Sequence, residues 1–260
     1  MVETKLISQL RELTGAGIGD CKAALEEANG NIDQAIEVLR KKGAMKAAKK
    51  AERVTNEGVI AQVKTAGKVA TVGLACETDF VARTQDFINT VNLYATKLME
   101  LGQDQFKTWA ESNIKDELAV KIGENLQLTV AEIVDGPVIG AYLHSNKKIA
   151  SVVLLKGGSE SIANDLAMQV AAMSPKYIKP EDISQKEIDH EKEIYREQLK
   201  AEGKPEAMWE KIIPGKLNKF YQEVCLLNQA FIKDDKLTVE AWLQSQSPTI
   251  TVGKFVRYSI

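Results

Sequence analysis

The sequence predicts an α+β protein: an N-terminal bundle of three short helices, a core of two similar hairpin-plus-helix units, and an antiparallel, coiled-coil-like helical hairpin inserted late in the chain. Three observations carry this. Apolar residues recur at helical spacing up to Leu39, two alternating stretches around glycine turns each lead into a helical stripe, and a charged segment from Ile183 to Val224 carries a heptad-like stripe. These divide the 260 residues into 1–43 for the bundle, 44–56 for a basic linker, 57–134 for the first core unit, 135–182 with 227–260 for the second, and 183–226 for the hairpin.

Leu6, Ile7, Leu10 and Leu13 share one face of a helix that starts near Glu3 or Thr4, and Thr14-Gly15-Ala16-Gly17 breaks it. Ile18, Cys21, Ala24, Leu25 and Ala28 form the inner face of a second helix, which Asn29-Gly30 ends by admitting a left-handed conformation. Asn31 caps a third, striped by Ile32, Ala35, Ile36 and Leu39, which Gly43 weakens or ends. Helices of about ten residues bury their stripes only against one another, so three of them make a compact bundle. The order helix, glycine loop, helix, Asn-Gly, helix resembles a ubiquitin-associated domain, a protein-docking module. Gly15-Ala16-Gly17-Ile18-Gly19 does not read as a phosphate-binding turn, because such a turn follows a strand and this one follows a helix.

Between Arg40 and Arg53 stand seven basic residues and one acid, Glu52, with alanines between them. This reads as a helical linker, either a solvated connector or a charged protein contact. RNA phosphate is the alternative ligand, and the absence of interleaved aromatics for base stacking argues against it.

The repeat begins at Glu57-Gly58. The segment 58–63, the Ala66-Gly67 turn and the segment 69–74 read as a β-hairpin, and Phe87, Val91, Tyr94, Ala95 and Leu98 stripe the helix after it. Asp135-Gly136 opens the second copy, with strands in 138–142 and 149–154 and a helix striped by Ile162, Leu166, Val170 and Met173. The two copies differ between hairpin and helix. The second has the bland loop Lys156-Gly157-Gly158-Ser159, whereas the first reads Cys76-Glu77-Thr78-Asp79-Phe80-Val81-Ala82-Arg83. Thr78 or Asp79 suits a helix cap. Phe80, in the first turn of the helix and seven residues before Phe87, is placed equally well in the core or at an exposed tip.

In the charged segment Ile188, Tyr195 and Leu199 lie on one arm and Ile213, Leu217, Phe220 and Val224 on the other, with Gly203-Lys204-Pro205 between them. Pro214 is expected to kink or restart the return arm. A short helix around 239–243 and a strand in 250–258 follow.

Net charge of −2 does not carry the footprint of a nucleic-acid or membrane-surface binder, and 44% hydrophobic with 27% charged residues are ordinary globular values. Three widely separated cysteines fit neither a disulfide framework nor a zinc site, and a folded pattern from Thr4 leaves no room for a signal peptide. These features lead to the expectation of a cytoplasmic protein with reduced thiols. His190-Glu191 fails as a zinc motif because Ile194 stands where the second histidine belongs. No nucleophile–base pair, paired carboxylates or phosphate loop appears, so a catalytic site, a cofactor and a metal are not expected. Cys76 with His144 is the pair whose convergence would revive an enzyme.

Leu10-Arg11-Glu12-Leu13-Thr14-Gly15-Ala16-Gly17 with Asp20-Cys21-Lys22-Ala23-Ala24-Leu25, and Thr78-Asp79-Phe80-Val81-Ala82, look like two signature segments of the elongation factor Ts family. The likeness continues through Lys121-Ile122-Gly123-Glu124-Asn125, Ile178-Lys179-Pro180-Glu181-Asp182 and the sequence around Phe231. It implies a guanine-nucleotide exchange factor that docks on elongation factor Tu bound to GDP and promotes GDP release so that GTP rebinds. It implies that Thr78, Asp79, Phe80, Val81 and Ala82 form the contact that disturbs the partner's Mg²⁺ and phosphate site, with Phe80 as an apolar wedge. Lys50, Ile122 and His144 match further contacts; read from the residues alone they are a solvated charge, a core residue and a turn residue. The helical hairpin resembles a dimerisation module, which implies a homodimer or a two-plus-two complex, or else it packs only on itself. Relatives with a further C-terminal helix continue past the final strand.

Overall fold

The computed structural model describes residues 3–50 and 52–260. Within the basic segment, Ala51 and the side chains of residues 44 and 46–49 lie outside the described residues.

Helices α1 (Thr4–Thr14), α2 (Ile18–Glu27) and α3 (Ile32–Lys50) enclose Leu10, Cys21, Ala24, Leu25, Ala35 and Leu39 as a small core. Gly15 ends α1 in the left-handed region (φ 68°), donating its N–H to the Arg11 carbonyl, as the glycine loop predicts. Gly43 does not end α3. The helix runs on to Lys50, and a Cβ at Gly43 would lie 2.1 Å from Cγ2 of Val120 in helix α6 (Ala119–Ile122). The glycine therefore admits the next domain at close range.

Strands β1 (Glu57–Thr65), β2 (Lys68–Cys76) and β3 (Gln127–Asp135) form one antiparallel sheet in that order, and β4 (Val138–Leu143), β5 (Ile149–Lys156) and β8 (Thr251–Ser259) form another. The predicted duplication extends further than hairpin plus helix. In each copy a third strand returns after the helix to pair with the hairpin's second strand: β3 on β2, and β8 on β5. Strand alternation sorts the side chains into layers. Val59, Ala61, Ala70, Val72 and Leu74 meet helix α5 (Gln85–Asn113), and Val153 and Leu155 meet α7 (Glu160–Met173). Ile60, Val69, Val134, Ile139, Ala150, Val152 and Tyr258 fill the space between the sheets. The core is thus helix, sheet, sheet, helix.

Helix α5 reverses at Gly102, whose backbone (φ 74°, ψ 168°) is not helical. The reversal brings Trp109 to 4.8 Å from the Tyr94 ring and Asn113 into a 2.7 Å bond from the Tyr94 hydroxyl. A π-helical turn, Ile114–Leu118, then leads to α6.

Between α7 and β8 come helices α8 (Gln185–Ala201) and α9 (Trp209–Val224), the two-strand pair β6 (Ala230–Phe231) and β7 (Asp234–Thr238), and α10 (Val239–Gln246). The helical hairpin encloses Leu199, Ile213 and Leu217 with Tyr195 and Trp209 beside them. Pro214 does not restart α9; the helix runs through it, and both Pro214 and Glu210, whose carbonyl loses its usual donor, occupy exposed positions. At the hairpin's root Lys176 and Tyr177 N–H groups donate to the Val224 carbonyl, and buried Gln169 and Gln229 bond each other at 3.2 Å.

Candidate functional site

β2 ends at Cys76, and the chain must turn from strand to helix there. Thr78 stays extended (φ −124°, ψ 150°) and its hydroxyl accepts from the Val81 N–H, so Thr78 rather than Asp79 caps helix α4 (Asp79–Ala82). Thr84 caps α5 separately, accepting from Phe87 N at 3.3 Å. α4 is therefore an independent single turn. Ala82 is buried and Val81 packs against the first core, which pins one side of the turn. The other side presents Asp79, paired with Arg83 at 3.1 Å, and Phe80, which stays 82% exposed. The open choice for Phe80 resolves to the tip.

A carboxylate braces the turn from outside the local sequence. Glu124 accepts from the Glu77 N–H (3.0 Å), the Thr78 N–H (3.1 Å) and the Thr78 hydroxyl (2.6 Å). Glu77 answers by accepting from the Asn125 N–H at 2.6 Å and from Arg53 at 3.3 Å. The Asn125 N–H, and after it the Arg53 guanidinium, hold the Glu77 carboxyl below its ordinary value.

The other residues singled out in the sequence fall around this brace. Lys50, at the end of α3, donates to the Gly123 carbonyl and so is not free in solvent. Ile122 is half-buried against the first core. His144 is exposed in the turn after β4, its Nδ1 3.2 Å from the Tyr142 hydroxyl. That turn abuts β1: the Lys147 carbonyl accepts from Ile60 N at 2.6 Å, and Lys148 pairs at 2.5 Å with Glu57, which stands opposite Cys76 in the strand register. His144 thus belongs to the end of the core from which α4 departs. Glu77, Arg53, Glu124 and Asn125 carry no role in the sequence reading, although Glu124-Asn125 lie in one of the family-like segments.

Cys76 is fully buried, and burial, with the Glu124 charge adding to it, pushes its thiol up to about 11. At neutral pH it is protonated and enclosed, so it does not serve as a thiolate beside His144. Cys225 is likewise pushed up to about 11 by burial. Among the described residues no group of three or more His, Cys, Asp or Glu has the arrangement of a metal site. No described helix is long and apolar enough to cross a membrane.

Fold and site together define a class: a two-sheet α+β protein that offers one bare aromatic side chain on a braced helix tip. Residues 77–260 match the family described as Elongation factor TS, and residues 1–45 match a UBA-like domain. Over 272 aligned positions the chain is 43% identical to Elongation factor Ts of Hydrogenobaculum sp. (strain Y04AAS1), covering 100% of this chain and 98% of that relative. The chain belongs to the elongation factor Ts family, within the elongation factors of translation.

Proposed function

We propose that the chain is a guanine-nucleotide exchange factor that docks on GDP-bound elongation factor Tu and, by pressing Phe80 into the partner's nucleotide-binding domain, disturbs the Mg²⁺ and phosphate site so that GDP leaves and GTP rebinds. The observation that carries this reading is the exposure of Phe80, at 82%, on a turn whose other side is buried. Thr78, Asp79, Phe80, Val81 and Ala82 form the principal contact, and Lys50, Ile122 and His144 extend it. The protein acts through docking, with no catalytic residue, cofactor or metal of its own. In the same reading the bundle 1–43 is a docking module joined by the linker 44–56 to core units 57–134 and 135–182 with 227–260.

Burying one phenylalanine returns about 1.5–3 kcal/mol, which offsets part of the distortion of a tightly built phosphate cradle. Each 1.36 kcal/mol removed from the release barrier is worth about a tenfold rate, so the side chain can supply roughly ten- to hundredfold. The coupling is reciprocal: whatever factor the exchange factor imposes on nucleotide affinity, nucleotide imposes on its affinity. GTP binding therefore ejects it. Phe80→Ala is expected to slow GDP release by about tenfold or more while weakening docking less, measured by stopped-flow release and by titration of the partner. Release as fast as with the wild-type chain contradicts the wedge.

A further inference from the structure

Two segments far apart in sequence exchange carboxylate-to-backbone bonds at the foot of α4. Glu124 takes the N–H groups of Glu77 and Thr78 and the Thr78 hydroxyl, and Glu77 takes the N–H of Asn125. Arg53 closes the group, its guanidinium on Glu77 and its carbonyl receiving the Asn125 side-chain amide at 2.8 Å. We propose that Glu124 is a positioning residue of nucleotide exchange: it sets the direction of Phe80 through Thr78, without touching the partner itself.

Helix α4 is weak by itself. A single turn of four residues has no helical stability of its own, because forming the first turn fixes several residues for one hydrogen bond. Its direction must come from outside. Thr78 supplies the local cap, and its hydroxyl is shared: the proton goes to Glu124 Oε1, which leaves the oxygen lone pairs to accept from Val81 N. The Glu77 and Thr78 backbone amides end on the other oxygen, Oε2. Both carboxylate oxygens are therefore in use, and charge-assisted bonds of this kind are the stronger ones. A side chain held in its docking direction beforehand spares the ordering cost on binding, and that saving appears in the step where the side chain acts.

The inference rests on Phe80 as the acting group, and the experiment separates the two. GDP release at saturating chain and docking affinity are measured for Glu124→Ala, Glu124→Gln, Phe80→Ala and the Phe80→Ala/Glu124→Ala double variant, with thermal melts to confirm folding. An amide at position 124 offers one acceptor oxygen where two are used. Both Glu124 variants are therefore expected to slow release on the order of tenfold while changing docking less. The double variant is expected to be no slower than Phe80→Ala alone, the signature of one residue acting through another. Glu124→Asp, which keeps both oxygens on a shorter arm, recovers part of the rate. In the free protein, amide exchange at Glu77 and Thr78 is expected to quicken in Glu124→Gln, a reading that does not depend on the partner. Independent effects that multiply in the double variant, or Glu124 variants with wild-type release rates, overturn the positioning role while leaving Phe80 in place. Wild-type release by Phe80→Ala overturns both.

Discussion

Phe80 escapes burial because one helix stops two residues after it. In a single continuous helix, a seven-residue spacing would put Phe80 on the face of Phe87, inside the core. The chain instead ends α4 at Ala82 and starts again from the Thr84 cap, so the two aromatics belong to different axes. Thr78 was readable as a cap, alongside Asp79, but the second cap at Thr84 and the end of the first helix were not, since helical spacing alone does not distinguish one helix from two. The brace was hidden for another reason: Glu124 lies 46 residues from Thr78 and meets it only through the fold. Glu77 gives this clasp a pH dependence. Its carboxyl sits below the ordinary value, so its contribution is fully present above the unfolded carboxylate value of about 4.3 and is lost as pH falls through the lower folded value. The Asn125 amide signal, followed by NMR on titration with acid, is expected to shift with a midpoint below the ordinary carboxylate value of about 4.3. A shift between about pH 6 and pH 8 would assign the clasp to a different titrating group.

At the scale of elements, glycines decide how closely neighbours approach. A Cβ on Gly140 of β4 would lie 2.0 Å from the Ala163 carbonyl carbon and 2.4 Å from Asn164 N, backbone atoms of α7 that have little freedom to move. Gly140→Ala is expected to cost at least about 1–3 kcal/mol and to lower the thermal midpoint accordingly. A midpoint unchanged from wild type contradicts the close packing of α7 on β4. The hairpins were legible because alternation and glycine turns are local. β3 was not, because Thr129 is an extra residue in the ladder opposite Gly73 and Leu74. Leu128 therefore faces α5 together with Ala131 and Ile133, while Val130 and Val134 face the other sheet. The strand's period breaks in its middle. The helical hairpin was legible from its stripe, and the same stripe bears on self-association. Leu199, Ile213 and Leu217 are used up between its own arms, and the large apolar side chains its described residues leave exposed are Ile194 and Met208. The hairpin therefore has little large apolar surface left to offer a second copy. Light scattering of the free chain is expected to give the mass of a monomer, and a dimer mass would show that another face, or the hairpin's polar surface, does the joining.

Across the whole molecule, an apolar layer and polar side chains that cross it join the two duplicated units. Tyr258 on β8 donates to Glu132 on β3 at 2.9 Å, Gln62 on β1 reaches the Ser151 carbonyl on β5, and Lys64 reaches the Ile139 carbonyl on β4 at 2.8 Å. A hydrogen bond to a charged acceptor contributes about 1.5–3 kcal/mol, so Tyr258→Phe is expected to lower the denaturant midpoint by an equivalent amount. The α4 tip stands on this joined core, and the His144 turn is held to the same end through Lys147 and Lys148. The basic segment after the bundle reaches that end as well, through Lys50 on Gly123 and Arg53 on Glu77. The function proposed for this assembly is to open a partner's nucleotide site. Stopped-flow release of fluorescent GDP from elongation factor Tu, with unlabelled GDP in excess, tests it most directly. Release is expected to accelerate with added chain to a plateau; release at the intrinsic rate when the chain is saturating would contradict this function.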